Sequence, residues 1–201
     1  MNDSKLARPD HPIHELLQRR WSPYVFADRD VPVADLRSLF EAARWAASSY
    51  NEQPWRYVVA TRADAEAHAR VLGCLVEANQ AWARHAPVLA IAAVAERFER
   101  NDKPNKAAQH DLGAAAASLT FEATARGLYV HQMIGIEPER ARDELAIPEG
   151  FEPFTGIAIG YPGDPQAAAE KLRERDTAPR PRKPLDAFVF AGRWGTTKAF
   201  P

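Results

Sequence analysis

Four short polar side chains lie within six residues, where a helical apolar pattern gives way to an alternating strand pattern. They are Ser48, Ser49, Asn51 and Gln53, and a proline follows directly. Hydroxyl and amide side chains hydrogen-bond nearby backbone groups or a polar ligand, and they disfavour continuation of a helix. The cluster therefore predicts either an ordinary loop with turn chemistry or a loop that binds a polar small molecule.

Two basic clusters lie near opposite ends of the chain. The first contains Arg20 and Ser22 at the end of a short helical pattern, and the second contains Arg180 and Arg182. A guanidinium group can bind a phosphate through its planar fork of N–H donors, and a hydroxyl adds another donor. Each cluster alone is also typical of a solvated surface. Their separation in sequence leaves open whether they converge on one phosphate.

The composition is that of an ordinary globular domain. The chain has 201 residues, of which 46% are hydrophobic and 26% charged, and its formal net charge of −1 predicts neither nucleic acid nor a membrane as partner. A single cysteine, Cys74, excludes an internal disulfide framework. No stretch resembles a signal peptide or a membrane span. We expect one cytoplasmic domain over 1–201, with 1–11 and 163–185 peripheral or extended.

The hydrophobic pattern predicts alternating helices and strands. The predicted helices cover 13–20, 63–79, 106–126 and 138–145, and a further helix has Pro32 in its first turn and a helical apolar repeat over 36–43. The predicted strands cover 55–61, 88–95, 128–133 and 155–160, with a short last strand at 188–190. The segment 162–184 is rich in proline and charge, and it predicts an extended arm.

The polar cluster belongs to a longer motif. The stretch 48–55 resembles the Ser-Ser-x-Asn-x-Gln-Pro-Trp signature of the FMN-dependent nitroreductase family. Arg20, Ser22 and Phe26 match the family's basic-x-Ser-x-basic-x-Phe element, while Tyr24 departs from the second basic position. The resemblance covers nearly the whole chain. It implies an α+β fold with a mixed, largely antiparallel sheet surrounded by helices, and an extended C-terminal arm.

The resemblance also implies the residues that would bind FMN. In the family the polar loop reaches the flavin from the partner subunit, so a homodimer with shared flavin sites is implied. The implied cofactor contacts are Arg20, Trp21, Ser22, Tyr24, Ala47, Ser48, Ser49, Asn51, Gln53, Asn79, Trp82, Met133, Ile134, Gly135, Arg180 and Arg182. No metal ligand and no catalytic side chain is expected, because the flavin would carry the chemistry.

The activity implied by the resemblance is hydride transfer from NADH or NADPH, through bound FMN, to an electron-poor small molecule such as a nitroaromatic or a quinone. One alternative is another branch of the family: a semialdehyde reductase, a dehalogenating enzyme or a flavin-fragmenting enzyme. The other is a flavin-binding protein without turnover. The sequence does not decide between them, nor between NADH and NADPH.

Two aromatic residues depart from the family pattern. Tyr24 and Trp82 stand where relatives often carry a basic side chain. A nearby cation stabilises reduced flavin electrostatically, so two uncharged aromatics predict a flavin that is harder to reduce. His131 precedes the 133–135 loop and is the best histidine for a role near the site, although a structural role is favoured.

Overall fold

A four-stranded antiparallel sheet lies at the centre of the computed structural model, which describes residues 3–197. Its strands follow the order β1-β2-β4-β3. They are β1 (Trp55–Thr61), β2 (Val88–Ala95), β3 (Tyr129–Met133) and β4 (Phe151–Gly160). The predicted strands 55–61 and 88–95 are confirmed with the same bounds. The second is buried along almost its whole length, which explains its continuous apolar sequence.

β4 begins earlier than the predicted 155–160 strand, because it contains an irregularity that sequence periodicity does not show. The register between β2 and β4 shifts between Ala92 and Ala93, and Pro153 pairs beside this shift. Proline lacks a backbone donor and is tolerated in sheets at bulges and edges. β3 pairs only with the later half of β4, from Gly156 onward. Among the described residues, the early half therefore has one edge without a partner strand, and this edge accommodates the proline.

Helices cover the sheet. Within the described residues they are α1 (Glu15–Arg19), α2 (Val33–Arg44), α3 (Ala65–Gly73), α4 (Glu77–Ala83), α5 (Ala108–Ala125), α6 (Pro138–Glu144) and α7 (Glu170–Thr177). The long helix α5 packs with α2 on one sheet face, where Leu39, Leu112 and Leu119 are buried. Among the described helices, none combines the length and apolarity needed to cross a bilayer.

Three further predicted elements differ from the structure. The predicted helix 63–79 is two helices, because Leu75 leaves the helical path to form a β-bridge with Ile136. The segment predicted as an extended arm contains α7. The strand predicted at 188–190 is wrong, since these residues follow a 3-10 turn and pair with no strand among the described residues.

Candidate functional site

The two basic clusters converge at the C-terminal end of α1. The Arg180 guanidinium donates to the backbone carbonyls of Arg20 at 2.6 Å and Gln18 at 2.8 Å. Burial lowers the pKa of Arg180, and the neighbouring charges of Arg20 and Arg182 lower it further. Burial also lowers the pKa of Arg20, with the charge of Arg182 as the second cause. Arg20, Arg180 and Arg182 therefore form one arginine cluster, which the sequence pattern left open.

The arginine cluster has no acidic counterpart within residues 3–197: none of its members forms an ion pair there with Asp or Glu. Some other arginines do form ion pairs, as Arg44 does with Glu41 and Arg126 with Asp35. Like charges held together raise the local potential and favour a bound anion. Planar guanidinium forks suit phosphate in particular. The cluster therefore fits a phosphate group.

A groove of about 230 Å³ opens beside Arg20 and Ser22. The other lining residues come from α5 and β3, and they are Ala117, Thr120, Phe121, Val130 and Gln132. Arg20 Nη1 donates to Ser22 Oγ at 3.4 Å, and Gln132 Nε2 donates to Thr120 Oγ1 at 3.1 Å. Sequence reasoning missed Thr120, Phe121 and Gln132. The available signal was a polar amide in a mostly apolar strand, three residues before Gly135.

Two larger grooves of about 500 and 530 Å³ lie elsewhere on the surface. One lies between α2 and α5, and the other lies between α4 and α6. Neither is lined by a residue that the sequence predicts for the site. The smaller groove is the better candidate because predicted residues and unpaired positive charge coincide there.

The loop after β3 brings Asn79 against Gly135. Asn79 Nδ2 donates to Gly135 O at 2.9 Å, and the backbone N–H of Val76 donates to the same oxygen at 3.1 Å. A Cβ atom at position 135 would lie only 2.5 Å from Asn79 Nδ2. Glycine therefore allows this close approach. Met133 is buried and Ile134 is exposed, and in the chain both lie between Gln132, which lines the groove, and Gly135.

The polar loop 48–53 has an unusual backbone. Tyr50, Asn51 and Gln53 have φ angles of 54°, 57° and 52°. For residues other than glycine this left-handed region costs about 1–2 kcal/mol per residue. The backbone N–H of Gln53 donates to Ser48 Oγ at 3.0 Å, which closes the loop. Strain of this kind persists where surrounding contacts impose it, and it is concentrated at binding sites.

Two side chains of the polar loop are available to a ligand. The Ser49 hydroxyl and the Asn51 side-chain amide make no hydrogen bond within residues 3–197, and both residues lie at least partly in solvent. Ser48 is engaged through its hydroxyl, and Gln53 Nε2 donates to the backbone carbonyl of Asn51 at 3.1 Å. Ser48 and Gln53 therefore stabilise the conformation of the loop, whereas the side chains of Ser49 and Asn51 are accessible to a ligand.

Trp82 lies in the core and not on the surface. Its side chain is only 2% exposed and packs in the core with Tyr24, Phe26 and His131. This burial disfavours the predicted cofactor contact of Trp82, which stays a prediction. Its apolar helical position reflects core packing.

Tyr24 lies beside a cation, which the sequence did not indicate. The Arg175 guanidinium stands over the Tyr24 ring, 4.7 Å from the centroid. Tyr24 itself carries no charge, but α7 supplies a positive charge next to its ring. Any effect of Tyr24 on a flavin potential has to include Arg175.

His131 has a structural contact. Its Nδ1 lies 2.8 Å from the Pro23 carbonyl oxygen, and Nδ1 must donate because that oxygen only accepts. Burial lowers the pKa of His131, while the hydrogen bond to Pro23 partly offsets this and the charge of Arg175 adds to it. A neutral imidazole therefore anchors the segment that follows Ser22.

α7 fixes the same segment from the other side. The Asp176 carboxylate accepts from the backbone N–H groups of Tyr24 and Val25, each at 2.9 Å. Lys5 Nζ donates to the carbonyls of Arg175 at 2.6 Å and Ala178 at 2.7 Å, which caps the helix end. Burial raises the pKa of Asp176, although the two N–H donors oppose this. Sequence reasoning missed Asp176, because it is one acid among many in a charged run.

The remaining predicted residues are distributed around these units. Trp21 is buried against Tyr129, with ring centroids 5.6 Å apart, and its contact with a cofactor stays a prediction. Ala47 is exposed just before the polar loop. Arg182 is exposed, and its Nη1 donates to its neighbour's carbonyl, that of Pro181, at 2.9 Å. Its guanidinium is accessible to an anion.

Comparison with known proteins identifies the family. Residues 17–161 match the model of the nitroreductase family. An uncharacterised 15.4 kDa protein of Mycolicibacterium smegmatis is 40% identical over 111 residues, which are 55% of this chain and 74% of that protein. A Streptomyces coelicolor protein with the provisional name NADH dehydrogenase/NAD(P)H nitroreductase is 29% identical over 72% of this chain and 80% of its own. The chain belongs to the nitroreductase family.

Solved structures agree with this assignment. A crystal structure described as an oxidoreductase containing FMN has a TM-score of 0.89 and 34% identity, covering 98% of this chain and 100% of the other. A nitroreductase family protein from Clostridium difficile has a TM-score of 0.69 at 21% identity over 89% and 96% of the two chains, a likeness of fold alone. The predicted α+β nitroreductase fold is confirmed, with a sheet that is antiparallel throughout the described residues.

Proposed function

We propose that this protein is an NAD(P)H-dependent oxidoreductase that binds FMN at the groove beside Arg20 and Ser22. The arginine cluster carries this proposal, because within residues 3–197 it has no acidic ion-pair partner and it suits one terminal phosphate. FMN ends in such a phosphate. A dinucleotide such as FAD is less suitable, because the spacing of Gly156 and Gly160 lacks the glycine fingerprint of a dinucleotide fold.

Each unit of the site has a role in the proposal. Arg20, Ser22 and Arg182 would donate to the phosphate and ribityl chain, while Arg180 holds the α1 carbonyls and adds positive charge. The Asn79–Gly135 unit would present backbone to the ring system. FMN held by these residues would supply hydride-transfer chemistry between NADH or NADPH and an electron-poor small molecule such as a nitroaromatic or quinone. The chain's own residues bind and orient the reactants.

A homodimer with shared flavin sites is part of the proposal. Gly113 and Ala117, four residues apart on α5, are exposed and half-buried respectively, so this face of the helix is open to a close neighbour. The polar loop would reach the flavin of the partner subunit. The single cysteine, buried Cys74, suits a reducing compartment, and the cytoplasm is the proposed location.

Two measurements on purified protein test the proposal. Flavin released by heat and separated by chromatography should be FMN and not FAD. Stopped-flow mixing with NADH or NADPH should bleach the flavin absorbance, and a panel of nitroaromatics, quinones, semialdehydes and halogenated aromatics should show which oxidant restores it. Colourless protein that takes up no added FMN would contradict the proposal. Bound FMN that neither nicotinamide reduces would favour a flavin-binding protein without turnover.

A further inference from the structure

We propose that Asp111 is a positioning residue for the polar loop, holding it in the conformation that binds the cofactor. The proposal rests on the function proposed above and deepens it, because the loop is one part of the FMN site. Asp111 itself would not touch the cofactor. Its carboxylate acts through the backbone of Ser49.

Asp111 is buried at the junction of α5 and the loop. It is 2% exposed, and its Oδ2 accepts from the Ser49 backbone N–H at 3.0 Å. Its Oδ1 lies 3.1 Å from Nδ1 of His110, whose side chain is exposed. The first turn of α5 favours a negative charge through the helix dipole. A buried carboxylate needs hydrogen-bonded partners, so this residue ties the loop to the core.

The polar loop requires a stabilising contact of this kind, because its backbone is strained. Three of its residues, Tyr50, Asn51 and Gln53, hold left-handed backbone that most side chains disfavour. Its other side-chain links involve exposed groups: Glu52 Oε1 accepts from the Glu99 backbone N–H at 2.6 Å, and Arg100 stacks on the Tyr50 ring at 3.9 Å. The half-exposed Arg56 side chain donates through Nη1 to the Gln53 carbonyl at 3.0 Å. Exposed contacts of this kind contribute little. Within the described residues, Asp111 provides the buried side-chain contact to the loop.

The expected effect follows from the population of the binding conformation. Without the hydrogen bond from Ser49 to Asp111, the loop would also occupy other conformations. Only the fraction of molecules in the binding conformation could then bind the cofactor. The apparent Kd rises in inverse proportion to that fraction. Loss of the Asp111 contact should therefore weaken FMN binding although no contact to FMN is removed.

Asp111→Ala and Asp111→Asn test this inference, with Gln109→Ala as the matched control on the same turn of α5. Gln109 is exposed and contacts Glu152, away from the loop. FMN affinity of the apoproteins is measured from quenching of flavin fluorescence, and amide hydrogen exchange is measured without FMN. We expect Kd to rise about tenfold for the alanine variant and less for the asparagine variant, which keeps an acceptor oxygen. The Ser49 amide should exchange faster while amides of β2 stay protected.

Unchanged Kd and unchanged Ser49 exchange in folded Asp111 variants would overturn the inference. A lower melting temperature with wild-type Kd would also overturn it, because Asp111 would then support only the fold. If the alanine variant does not fold, the asparagine variant carries the comparison. Failure of the wild-type protein to bind FMN would instead defeat the proposed function, a result separate from any behaviour of the variants.

Discussion

The arginine cluster and the polar loop are held in place by different means. The cluster is fixed by many contacts: Arg180 binds two carbonyls at the end of α1, and Asp176 binds two backbone N–H groups just after Ser22. The polar loop has a left-handed backbone and one buried carboxylate contact. The arginine cluster is therefore characterised by concentrated positive charge, and the polar loop by a strained backbone conformation.

This difference predicts how each region responds to mutation. Removing an arginine deletes a direct ligand contact, and the rest of the cluster stays in place through its other contacts. Changing the loop alters how often the binding conformation is populated. Effects in the cluster should depend on the ligand's phosphate, whereas effects in the loop should not.

The largest effect is expected for Arg20→Ala combined with Arg182→Ala. Hydrogen bonds to a charged group contribute about 1.5–3 kcal/mol each, so each single variant should weaken FMN binding about tenfold or more, and the double variant further. Isothermal titration calorimetry measures both. Lys171→Ala removes a positive charge from an exposed site on α7 and serves as the control. Wild-type affinity in both single variants would place the phosphate elsewhere.

Gly135→Ala should have the next largest effect. Its Cβ would lie 2.5 Å from Asn79 Nδ2 and 3.0 Å from Val76 Cγ2. Overpacking of this kind destabilises by about 1–3 kcal/mol, and we expect lower stability in urea together with lower flavin content. Adding Asn79→Ala should recover part of the stability, since it removes the closer clash. Wild-type stability of the single variant Gly135→Ala would show that the loop after β3 can shift at little cost in free energy.

Gln53→Gly tests the contribution of backbone strain to stability separately from the contribution of the Gln53 side chain to FMN binding. Glycine adopts positive φ freely, so this change should raise the free energy of unfolding by up to about 1 kcal/mol while FMN affinity falls. Ala146→Gly is the matched control, because Ala146 has a φ of 51° and lies outside the site. The control should gain stability and keep its affinity. A loss of stability on Gln53→Gly would mean that side-chain contacts outweigh the backbone strain there.

The smallest effect concerns pH. Burial lowers the pKa of His131 below its ordinary value of 6.5, so the unfolded chain binds this proton more readily than the folded protein. Stability should therefore fall as pH drops below about 6.5. His131→Gln, which can still donate to the Pro23 carbonyl, should reduce this loss, whereas His85→Gln at an exposed site should not. The loss of stability is measured as the change in urea midpoint between pH 7.5 and pH 5.5 for the wild type and the two variants. An equal loss in all three proteins would contradict the structural role of a neutral His131.

The first two strands and the longest helix could be predicted because their patterns are periodic or continuous. β1 and β2 have their predicted bounds, and α5 falls within the predicted 106–126 helix. Convergence of the two basic clusters could not be read from local pattern. It depends on α7, whose sequence is almost wholly polar and whose buried residue is the charged Asp176.

Other site features escaped prediction for similar reasons. Trp82 occupies a position that suits either a core residue or a ligand contact, and only the packing with Phe26 and His131 favours the core residue. Arg180 was expected to bind phosphate, yet its guanidinium is engaged by backbone carbonyls. The link between Ser49 and Asp111 spans 62 positions, and no spacing rule reaches so far.

The most direct measurement compares FMN with riboflavin, which lacks the phosphate, in the wild-type protein and in Arg20→Ala and Arg182→Ala. If the arginine cluster binds the phosphate, the wild type should bind FMN at least about tenfold more tightly than riboflavin, and each variant should lose much of that preference. Asp111→Asn should weaken both ligands alike and keep the preference. Equal binding of FMN and riboflavin by the wild type, or an undiminished preference in both arginine variants, would contradict a phosphate site at this cluster.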